Sequence, residues 1–327
     1  MKSEILKMLR ESEDYVSGQQ ICEKFGVSRT AVWKAINQLK EEGYEVEAVR
    51  NKGYRILASP DVMTKEELES QIDTVWLGKP VIYFDEIGST NNYAKQLGEN
   101  GGAHGTLVVA DMQSAGKGRR GRGWDSPSGS SIYMTLLLKP EDLEPNQASM
   151  LTLVAACAVA GGISEQTGLP AKIKWPNDIV VNGKKVCGIL TEMSTEIEHI
   201  NYIVCGIGIN VNMTFFPEEI KDTATSLCLE YGQQVRRSTL IAAIMRQFEK
   251  GYQIFMETRN LEGLQEAYND LLVNCGREVR ILGAKEQYTG KALGINPQGE
   301  LLVEREDGIV EQVASGEVSV RGIYGYV

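Results

Sequence analysis

The segment Gly116–Trp124, GKGRRGRGW, concentrates positive charge on a glycine-rich backbone. Its four cations are Lys117, Arg119, Arg120 and Arg122, in a chain whose formal net charge is −10. Backbone N–H groups flanked by glycines can approach an anion while guanidinium groups fork onto its oxygens. Because like charges repel and glycine favours disorder, we expect the segment to be mobile when empty and ordered around a polyanion, such as a nucleotide phosphate. Taken alone, the segment is equally typical of a solvated basic loop.

A second cluster of side chains that could bind a ligand lies at the end of a predicted strand, in KIKWPNDIVVNGKKVCGIL. Pro176 prevents the strand from continuing regularly and leaves Lys174, Trp175, Asn177 and Asp178 at its end. The Asn-Gly pair that follows predicts a tight hairpin over Val180–Met193. The hairpin fixes the backbone of Lys184 and Lys185, so a cation there could stabilise charge developing on a phosphate. Charge alone does not distinguish the two lysines, and lysines that protect an edge strand are the ordinary alternative.

Two smaller segments also suggest a ligand site. DEIGSTNNYAKQL places Ser89, Thr90 and Asn91 at a helix start after a strand, where a plain N-cap is the simpler interpretation. CGIGINVN repeats glycine within a strand, at Gly206 and Gly208. Glycines in a strand often mark the close approach of a ligand.

Cysteine and histidine content and the absence of two glycine motifs disfavour several classes of site. Six cysteines without a C-x-x-C pair argue against a disulfide framework or a zinc site and for a reducing cytoplasm. With only His104 and His199, a histidine metal site or catalytic triad is disfavoured. Neither a dinucleotide-binding nor a P-loop glycine motif occurs. We expect no membrane span, because no stretch approaches about 20 apolar residues, and no signal peptide, because the N-terminus is charged.

The length of 327 residues predicts two or three domains, which we place at residues 1–62, 63–273 and 274–327. The middle region interleaves hairpins and helices and predicts an α+β layer. Its expected strands are Val81–Phe84, Leu107–Ala110, Ile132–Leu138, Lys172–Trp175 and Tyr202–Val211, and its long helices are Asn146–Thr167 and Ser238–Arg259. The last region predicts a small antiparallel barrel punctuated by Gly283, Gly290, Gly299, Gly308 and Gly316.

The first region predicts three helices followed by a basic hairpin. Ser3 is the expected cap of the first helix, and two short helices then run from Ser17 to Gly26 and from Ser28 to Gly43. This is a helix-turn-helix with a wing. A basic second helix on an acidic chain favours binding to duplex DNA over a protein-contact module. The candidate DNA-binding residues are Ser28, Arg29, Thr30, Trp33, Lys34, Asn37 and Lys52.

These segments, in this order, resemble the bacterial family of bifunctional biotin–protein ligases and biotin-operon repressors, over essentially the whole chain. GKGRRGRGW is similar to the family's G-R-G-R-x-G-R-x-W loop, and KWPND matches without change. The G-I-G-I-N strand and the S-T-N helix start also match. The resemblance implies an α+β multidomain fold. Its parts are an N-terminal winged helix-turn-helix, a central α/β catalytic domain with a mixed sheet, similar to class II aminoacyl-tRNA synthetases, and a C-terminal SH3-like barrel.

The resemblance implies a two-step reaction. The biotin carboxylate attacks the α-phosphate of ATP, bound with Mg²⁺, and gives biotinoyl-5′-AMP and pyrophosphate. A lysine of the biotin carboxyl carrier protein of acetyl-CoA carboxylase then attacks the mixed anhydride. Such chemistry needs cations and positioning and no covalent nucleophile, which agrees with a site rich in lysine and arginine. The resemblance assigns no residue to the metal, which is bound with ATP.

The resemblance also assigns residues. For biotin it implies Ser89, Thr90, Asn91, Gln113, Gly116, Lys117, Gly118, Arg119, Lys185, Gly188 and Gly206. For the nucleotide it implies Arg120, Arg122, Trp124, Lys174, Asn177, Asp178 and Asn210. Lys185 and Arg119 are the implied catalytic pair, and Lys185 is preferred over Lys184 because it follows Lys174 by eleven residues, as in the family. Lys117 departs from the family's usual arginine, and lysine cannot form a bidentate fork.

The implied regulation makes biotinoyl-5′-AMP a corepressor. Ordering of the glycine loop by this intermediate would favour a homodimer that presents two winged helices to a palindromic operator. Two alternatives stay open. A lipoate–protein ligase shares the core fold and adenylate chemistry, but generally lacks the winged helix and the glycine-arginine loop. A transcription regulator that only senses a small molecule would not need Lys185 and the full set of cations.

Overall fold

The structure, a computed structural model, describes residues 1–196, 199–282, 287–315, 319–322 and 326–327. The side chains of Arg120, Ser319 and Arg321 lie outside that description, as do Gly283 and Gly316, which were predicted to punctuate the last region.

The first region forms three helices and a two-stranded wing: α1 (Lys2–Glu11), α2 (Gly18–Phe25), α3 (Arg29–Glu41), β1 (Glu45–Val49) and β2 (Gly53–Ala58). Local chemistry sets the helix starts. Ser17 forms a capping box with Gln20, and the Ser28 hydroxyl accepts from the backbone N–H of Ala31. The predicted cap at Ser3 is wrong, because the N-cap of α1 is Met1, two residues earlier. Ser3 therefore lies within the first turn.

A short helix, α4 (Lys65–Gln71), joins the first region to the middle one through a buried carboxylate. Glu67 is 0% exposed; its oxygens accept from Arg10 Nη2 and the Tyr44 hydroxyl, each at 2.5 Å, and from Ser238 Oγ at 2.8 Å. Burial raises the pKa of Glu67, but the Arg10 charge and the hydrogen bonds from Tyr44 and Arg10 outweigh it and hold that pKa below its usual value. Arg10 and Tyr44 belong to the first region and Ser238 to the middle one, so this carboxylate fastens the two together.

The middle region is a mixed sheet with helices on both faces. After α4 its elements are β3 (Val81–Ile87), α5 (Thr90–Glu99), β4 (Thr106–Gln113), β5 (Ser131–Leu138), α6 (Leu151–Thr167), β6 (Lys172–Lys174), β7 (Asp178–Val181), β8 (Lys184–Glu196), β9 (His199–Asn210), α7 (Leu227–Tyr231), α8 (Arg237–Thr258) and α9 (Gln265–Leu271). Within the described ranges the strand order is β3-β4-β5-β9-β8-β7-β6. Only β3 and β4 run parallel; the other neighbouring pairs in this order are antiparallel.

Helix α6 lies in the core of the protein. Apolar residues surround it on all sides, and most are fully buried, in part against α8. The predicted helix from Asn146 starts instead as a 3₁₀ turn, Pro145–Met150, and becomes α-helical at Leu151. By length and composition Pro145–Thr167 could cross a membrane, contrary to the expectation that no stretch approaches this length. However, 67% of its most apolar window is buried inside the protein, which marks a core helix.

The predicted tight hairpin is confirmed between β7 and β8. Asn182 and Gly183 have φ values of 48° and 78°, the left-handed pair that a type I′ turn requires. The strand before it ends at Lys174, one residue earlier than expected, and is followed by a cis Trp175–Pro176 bond. The hairpin therefore places Asp178 and Lys185 on neighbouring strands.

A buried arginine connects the linker after the wing to the sheet. Arg237, 3% exposed at the start of α8, places Nε 2.8 Å from Asp61 Oδ2 and Nη1 2.7 Å from Asp111 Oδ1. Asp61 lies in the linker, and Asp111 lies on β4 two positions before Gln113. One guanidinium thus holds the linker and this strand in a fixed relation.

The last region is an antiparallel sheet of β10 (Glu278–Leu282), β11 (Gln287–Ile295), β12 (Leu301–Glu304), β13 (Val310–Val313) and β14 (Ser319–Gly322). Its described strands pair in the order β13-β12-β11-β10-β14. Val279, Leu301 and Val303 belong to the same buried cluster as the middle region, so the two pack on a shared core. The Trp175 indole also donates to Gly299 O at 3.1 Å.

Candidate active site

A cavity of about 400 Å³ lies where the ends of β4, β8 and β9 meet the loop 116–124 and the last sheet. Its lining includes neutral polar side chains from the start of α5, here called the neutral end, and lysine and arginine side chains from the loop and from the β6–β8 segment, here called the charged end. The cavity therefore offers hydrogen-bonding groups and positive charge to a single elongated ligand or to two adjacent ones.

The neutral end is built at the N-terminus of α5. Ser89 is the N-cap, as the simpler interpretation of its position predicted, and it also lines the cavity. Gln113 Oε1 accepts from the backbone N–H of Thr90 at 2.9 Å and from its hydroxyl at 3.1 Å. These groups are held in place before any ligand arrives, as a polar recognition site requires.

Asn91 is held even more firmly. Its amide Nδ2 donates to Leu190 O at 3.2 Å and to Glu192 Oε2 at 2.9 Å, while its Oδ1 accepts from the Thr135 hydroxyl at 2.6 Å. Burial alone raises the pKa of Glu192, but hydrogen bonds from Lys95 and Asn91 prevail, so that pKa lies below its usual value. Sequence reasoning did not find Glu192 or Thr135, because they contact Asn91 of α5 from strands β8 and β5, which are distant in the sequence.

The glycines of β9 allow these side chains to pack against the backbone. A Cβ added at Gly206 would lie 2.1 Å from Asn91 Oδ1, and one at Gly208 would lie 2.8 Å from Trp124 Nε1. Both distances are impossible for real atoms, so each glycine provides room for a specific side chain that lines the cavity. The close approach predicted for this segment is therefore made by protein side chains.

Substituting Gly206 by alanine should destabilise the protein by about 1–3 kcal/mol, because Asn91 must leave buried hydrogen bonds. The comparison is Gly161→Ala on α6, where the nearest atom to an added Cβ is in the Gln247 side chain, at 3.6 Å. Urea unfolding of the two variants measures the difference. If both were as stable as the parent, Asn91 would not be held as described.

The loop 116–124 folds back on itself as a small hairpin. Lys117 and Gly123 form a β-bridge, Gly118 N donates to Arg122 O at 2.7 Å, and Trp124 N donates to Gly116 O at 3.0 Å. A Cβ at Gly116 would lie 2.4 Å from Trp124 O, so only glycine closes this base. Trp124 Nε1 is buried, and the described residues give it no hydrogen-bond partner, which leaves an N–H available to a ligand in the cavity.

Two of the cations at the charged end, Arg119 and Lys185, are oriented by protein acceptors. Arg119 Nη1 donates to Asn177 Oδ1 at 2.7 Å, and Nη2 donates to Ser315 O at 2.8 Å. Lys185 Nζ lies 2.6 Å from Asp178 Oδ1. A phosphate entering here would meet side chains that already point toward it, which limits the reorganisation needed on binding.

The structure separates the two tandem lysines. Lys185 lines the cavity, and its backbone N–H and C=O bond Thr223 O at 2.8 Å and Thr225 N at 2.9 Å. Lys184 does not line the cavity; its Nζ donates to Lys221 O at 3.3 Å. Neighbouring residues of a strand face opposite sides, which explains the difference.

The cavity lining brings together most of the residues predicted for a ligand: Ser89, Thr90, Asn91, Gln113, Lys117, Gly118, Arg119, Arg122, Trp124, Lys174, Asn177, Asp178, Lys185, Gly188, Gly206 and Asn210. Gly116 lies at the base of the loop, outside the lining. The Arg120 side chain is outside the described part of the chain. The structure adds residues that the sequence analysis missed: Tyr133, Met134, Met213, Phe216, Ile220 and Tyr326. The proline-containing loop MTFFPEEI, with its apolar residues, was an available signal for three of them: Met213, Phe216 and Ile220.

The predicted DNA-binding residues lie together on the first region. Arg29, Thr30, Trp33 and Lys34 are exposed on α3, and 57% of Trp33 is accessible. Ser28 is exposed but engaged as a cap, and Asn37 is half-buried. Lys52 is exposed on the wing, with its Nζ 5.4 Å from the Tyr15 ring centre. The arrangement leaves one basic and aromatic face open to a partner.

Comparison with known proteins gives the same order of parts. Residues 2–55 match a helix-turn-helix domain (HTH domain), 83–210 the Biotin/lipoate A/B protein ligase family, and 275–321 the Biotin protein ligase C terminal domain. The "Bifunctional ligase/repressor BirA" of Bacillus subtilis (strain 168) is 40% identical over 323 residues, which is 98% of each chain. The chain belongs to the bifunctional ligase/repressor BirA family.

Another BirA relative and a solved ligase structure support the same family assignment. BirA of Escherichia coli (strain K12) is 31% identical over 94% of each chain. The biotin protein ligase from Aquifex aeolicus, solved in complex with biotin and ATP, is 33% identical, with a TM-score of 0.66, and covers 75% of this chain and 99% of its own. The predicted fold class of this BirA-family member is thereby confirmed: a helix-turn-helix part, a ligase part with a mixed sheet and an antiparallel C-terminal sheet.

Proposed function

We propose that the cavity carries out both steps of biotin–protein ligation and that the winged helix couples the bound intermediate to transcription. As a BirA-family member, the chain is a biotin–protein ligase that uses biotin and ATP, and a DNA-binding repressor. The observation that carries the mechanism is the division of one cavity into a neutral polar end and a cationic end.

The neutral end would hold the biotin head. The ureido group has one carbonyl acceptor and two N–H donors, and hydroxyl and amide side chains match both kinds of partner. Ser89, Thr90, Asn91 and Gln113 line this end, and most are fixed by their own hydrogen bonds. Biotin bound there would direct its valeryl chain along β9, past Gly206, toward the cations.

The cationic end would hold the nucleotide and the reacting carboxylate. In the first step a carboxylate oxygen of biotin attacks the α-phosphorus, the bond to pyrophosphate breaks, and biotinoyl-5′-AMP forms. Lys185 and Arg119 would neutralise the charge that builds up on the phosphate oxygens. We assign to the nucleotide six residues that line the cavity: Lys174, Asn177, Asp178, Arg122, Trp124 and Asn210. We place Arg120 and Gly116 at this site only by the position of their loop.

In the second step the ε-amine of a carrier lysine attacks the acyl carbon, AMP leaves, and an amide forms with loss of a proton. The loop 116–124 would act before this step as a cover that keeps water from the anhydride. Its closed hairpin supports that role, because the bridge between Lys117 and Gly123 holds its two arms together. We propose the biotin carboxyl carrier protein of acetyl-CoA carboxylase as the acceptor.

Magnesium would enter with ATP. Among the described residues no group of three or more His, Cys, Asp or Glu side chains could hold a metal ion, so most of its ligands would be phosphate oxygens and water. When bound, Mg²⁺ would neutralise charge on the triphosphate. Asp178 is the carboxylate of the cavity closest to Lys185 and could contact the hydrated ion.

For the repressor role we propose operator DNA as the partner of the exposed α3 face, biotinoyl-5′-AMP as the corepressor and a homodimer as the DNA-binding form. The connection of Arg237 to both the linker and β4 supports coupling between the cavity and the winged helix. We place the protein in the cytoplasm, which agrees with six cysteines that are all free thiols.

One assay separates the possible functions. The protein is incubated with MgATP, a carrier domain and either biotin or lipoate, and the carrier is examined by mass spectrometry. Transfer of biotin supports the proposal, and transfer of lipoate would indicate the second ligase class. No transfer, with ligand-dependent binding to operator DNA, would indicate a regulator without ligase activity.

Lys117→Arg should slow the dissociation of biotinoyl-5′-AMP about threefold to tenfold. Lys117 lines the cavity, and an arginine there could form two parallel hydrogen bonds with a phosphate where lysine forms a single directed contact. The off-rate is measured by chase with unlabelled intermediate. Lys250→Arg, an exposed position on α8, is the control. Equal off-rates for Lys117→Arg and the parent would refute the expectation.

A further inference from the structure

The C-terminal end of the chain reaches the charged end of the cavity. Tyr326 lines it, and the Tyr326 ring centre lies 3.4 Å from Lys174 Nζ. The Tyr326 hydroxyl donates to Asp178 Oδ2 at 2.5 Å. The other oxygen of the same carboxylate, Oδ1, lies 2.6 Å from Lys185 Nζ. One tyrosine thus contacts Lys174 directly and Lys185 through Asp178.

The two oxygens of Asp178 have separate partners, and this determines where Lys185 lies. A carboxylate bonded through one oxygen can rotate about its terminal torsion, which is broad and roughly two-fold. The hydrogen bond from Tyr326 removes that freedom, because rotation would break a charge-assisted bond. Oδ1 is therefore held in one direction, and the Lys185 ammonium with it.

The ring of Tyr326 has a second effect. An ammonium within about 6 Å of an aromatic centre is attracted to the ring face. Lys174 is only 6% exposed, so its charge has few water molecules to stabilise it and depends on such neighbours. The ring therefore favours one position for Lys174, beside the carboxylate that holds Lys185.

A second contact ties the last sheet to the same cations. Arg119 donates to the backbone carbonyl of Ser315, which follows β13. The last region therefore supports cations from both the loop and the β6–β8 segment.

We propose that Tyr326 is a positioning residue for the adenylation step. It fixes Asp178, and through it Lys185, while its ring fixes Lys174, so that both ammonium groups meet the nucleotide phosphates in the reactive arrangement. This rests on the proposed function of the cavity. The contacts of Tyr326 described above are with Lys174 and Asp178 and not with Ser89 or Asn91, so we expect it to act on the phosphate chemistry and to leave biotin binding unchanged.

The test uses the full-length chain and two substitutions. Tyr326→Phe keeps the ring beside Lys174 and removes the hydroxyl that bonds Asp178, whereas Tyr326→Leu removes both the ring and the hydroxyl. Tyr231→Phe, at an exposed tyrosine that ends α7, is the control for loss of a phenolic hydroxyl. Single-turnover formation of biotinoyl-5′-AMP is measured with saturating biotin and varied ATP. Biotin affinity is measured separately by calorimetry.

We expect Tyr326→Phe to lower the maximal rate of adenylation about tenfold, the effect of losing a hydrogen bond to a charged group. Its KM for ATP should change little. Tyr326→Leu should lower the rate and also raise the KM for ATP. Biotin affinity should be the same in all four proteins, and Tyr231→Phe should behave as the parent.

An unchanged rate in Tyr326→Phe would overturn the inference, and so would a rate above that of the parent, which would show that the tyrosine blocks the site. If Tyr326→Phe lost biotin affinity by the same factor as it lost adenylation rate, Tyr326 would have a general structural role, and this result would also overturn the inference. If the parent forms no biotinoyl-5′-AMP, the proposed function fails as well. An active parent with equally active variants refutes only the role of Tyr326.

Discussion

Lys185→Gln should reduce the rate of biotinoyl-5′-AMP formation about a thousandfold, in the range seen when a preorganised group that stabilises developing charge is removed. Glutamine has nearly the length of lysine but no charge, so the phosphate would lose its cation while the hairpin keeps its shape. The measurement is single-turnover adenylation at saturating biotin and ATP. Biotin affinity should fall far less than the rate, because the side chains proposed for the biotin head, Ser89, Thr90, Asn91 and Gln113, are unchanged.

The neighbouring lysine provides a matched control. Lys184→Gln makes the same chemical change one residue away, on the side of the strand where Nζ bonds Lys221 O. Its adenylation rate should stay within about twofold of the parent, as for an ordinary surface substitution. If Lys184→Gln were the more damaging of the two, or if Lys185→Gln kept more than a tenth of the activity, the assignment of Lys185 would be wrong.

Glu67→Ala should be the most destabilising of the substitutions considered, by about 3–5 kcal/mol. The change removes a fully buried carboxylate, so Arg10 loses its paired charge and the Tyr44 hydroxyl loses this acceptor. The winged helix should then separate from the ligase part at lower urea concentrations, which hydrogen exchange in α1 and α4 would report. Glu66→Ala is the control, since that side chain is 38% exposed and lies 3.6 Å from Lys2; it should cost less than about 1 kcal/mol.

The same carboxylate predicts a pH dependence. The pKa of folded Glu67 lies below its unfolded value, so its contribution to stability is complete above a pH of about 4.3 and is lost as the pH falls through the folded pKa. The difference in unfolding free energy between the parent and Glu67→Ala should therefore shrink on acidification. A difference that stays constant down to pH 3 would count against this account of Glu67.

Local chemistry explains why much of the fold could be predicted. The capping serines 17 and 28 and the Asn182-Gly183 turn act over a few residues, and each produced the expected element. The helix α4 was missed because it is seven residues long and its main contacts are with distant segments. Ser3 was misplaced because a serine near a helix start fits the cap and the first turn almost equally well.

The site was predictable in its parts but not in its assembly. The polar start of α5, the glycine-arginine loop and KWPND each carried a chemical signal in a short segment. Their partners Glu192, Thr135 and Tyr326 did not, because they reach the site from strands or segments far along the chain. The choice between Lys184 and Lys185 depended on which side of a strand each faces, and that was settled by the pairing of β7 with β8 across a bulge.

Arg237 has a consequence for separating the two activities. A ligase fragment that starts after Asp61 would remove one of the two carboxylates that pair with the buried Arg237 among the described residues and leave Asp111, on the strand that ends at Gln113. Truncation at that point should therefore lower the catalytic rate as well as remove the winged helix. A cut on the N-terminal side of Asp61 keeps the arginine paired, so the linker belongs structurally to the enzyme even though it begins where the wing ends.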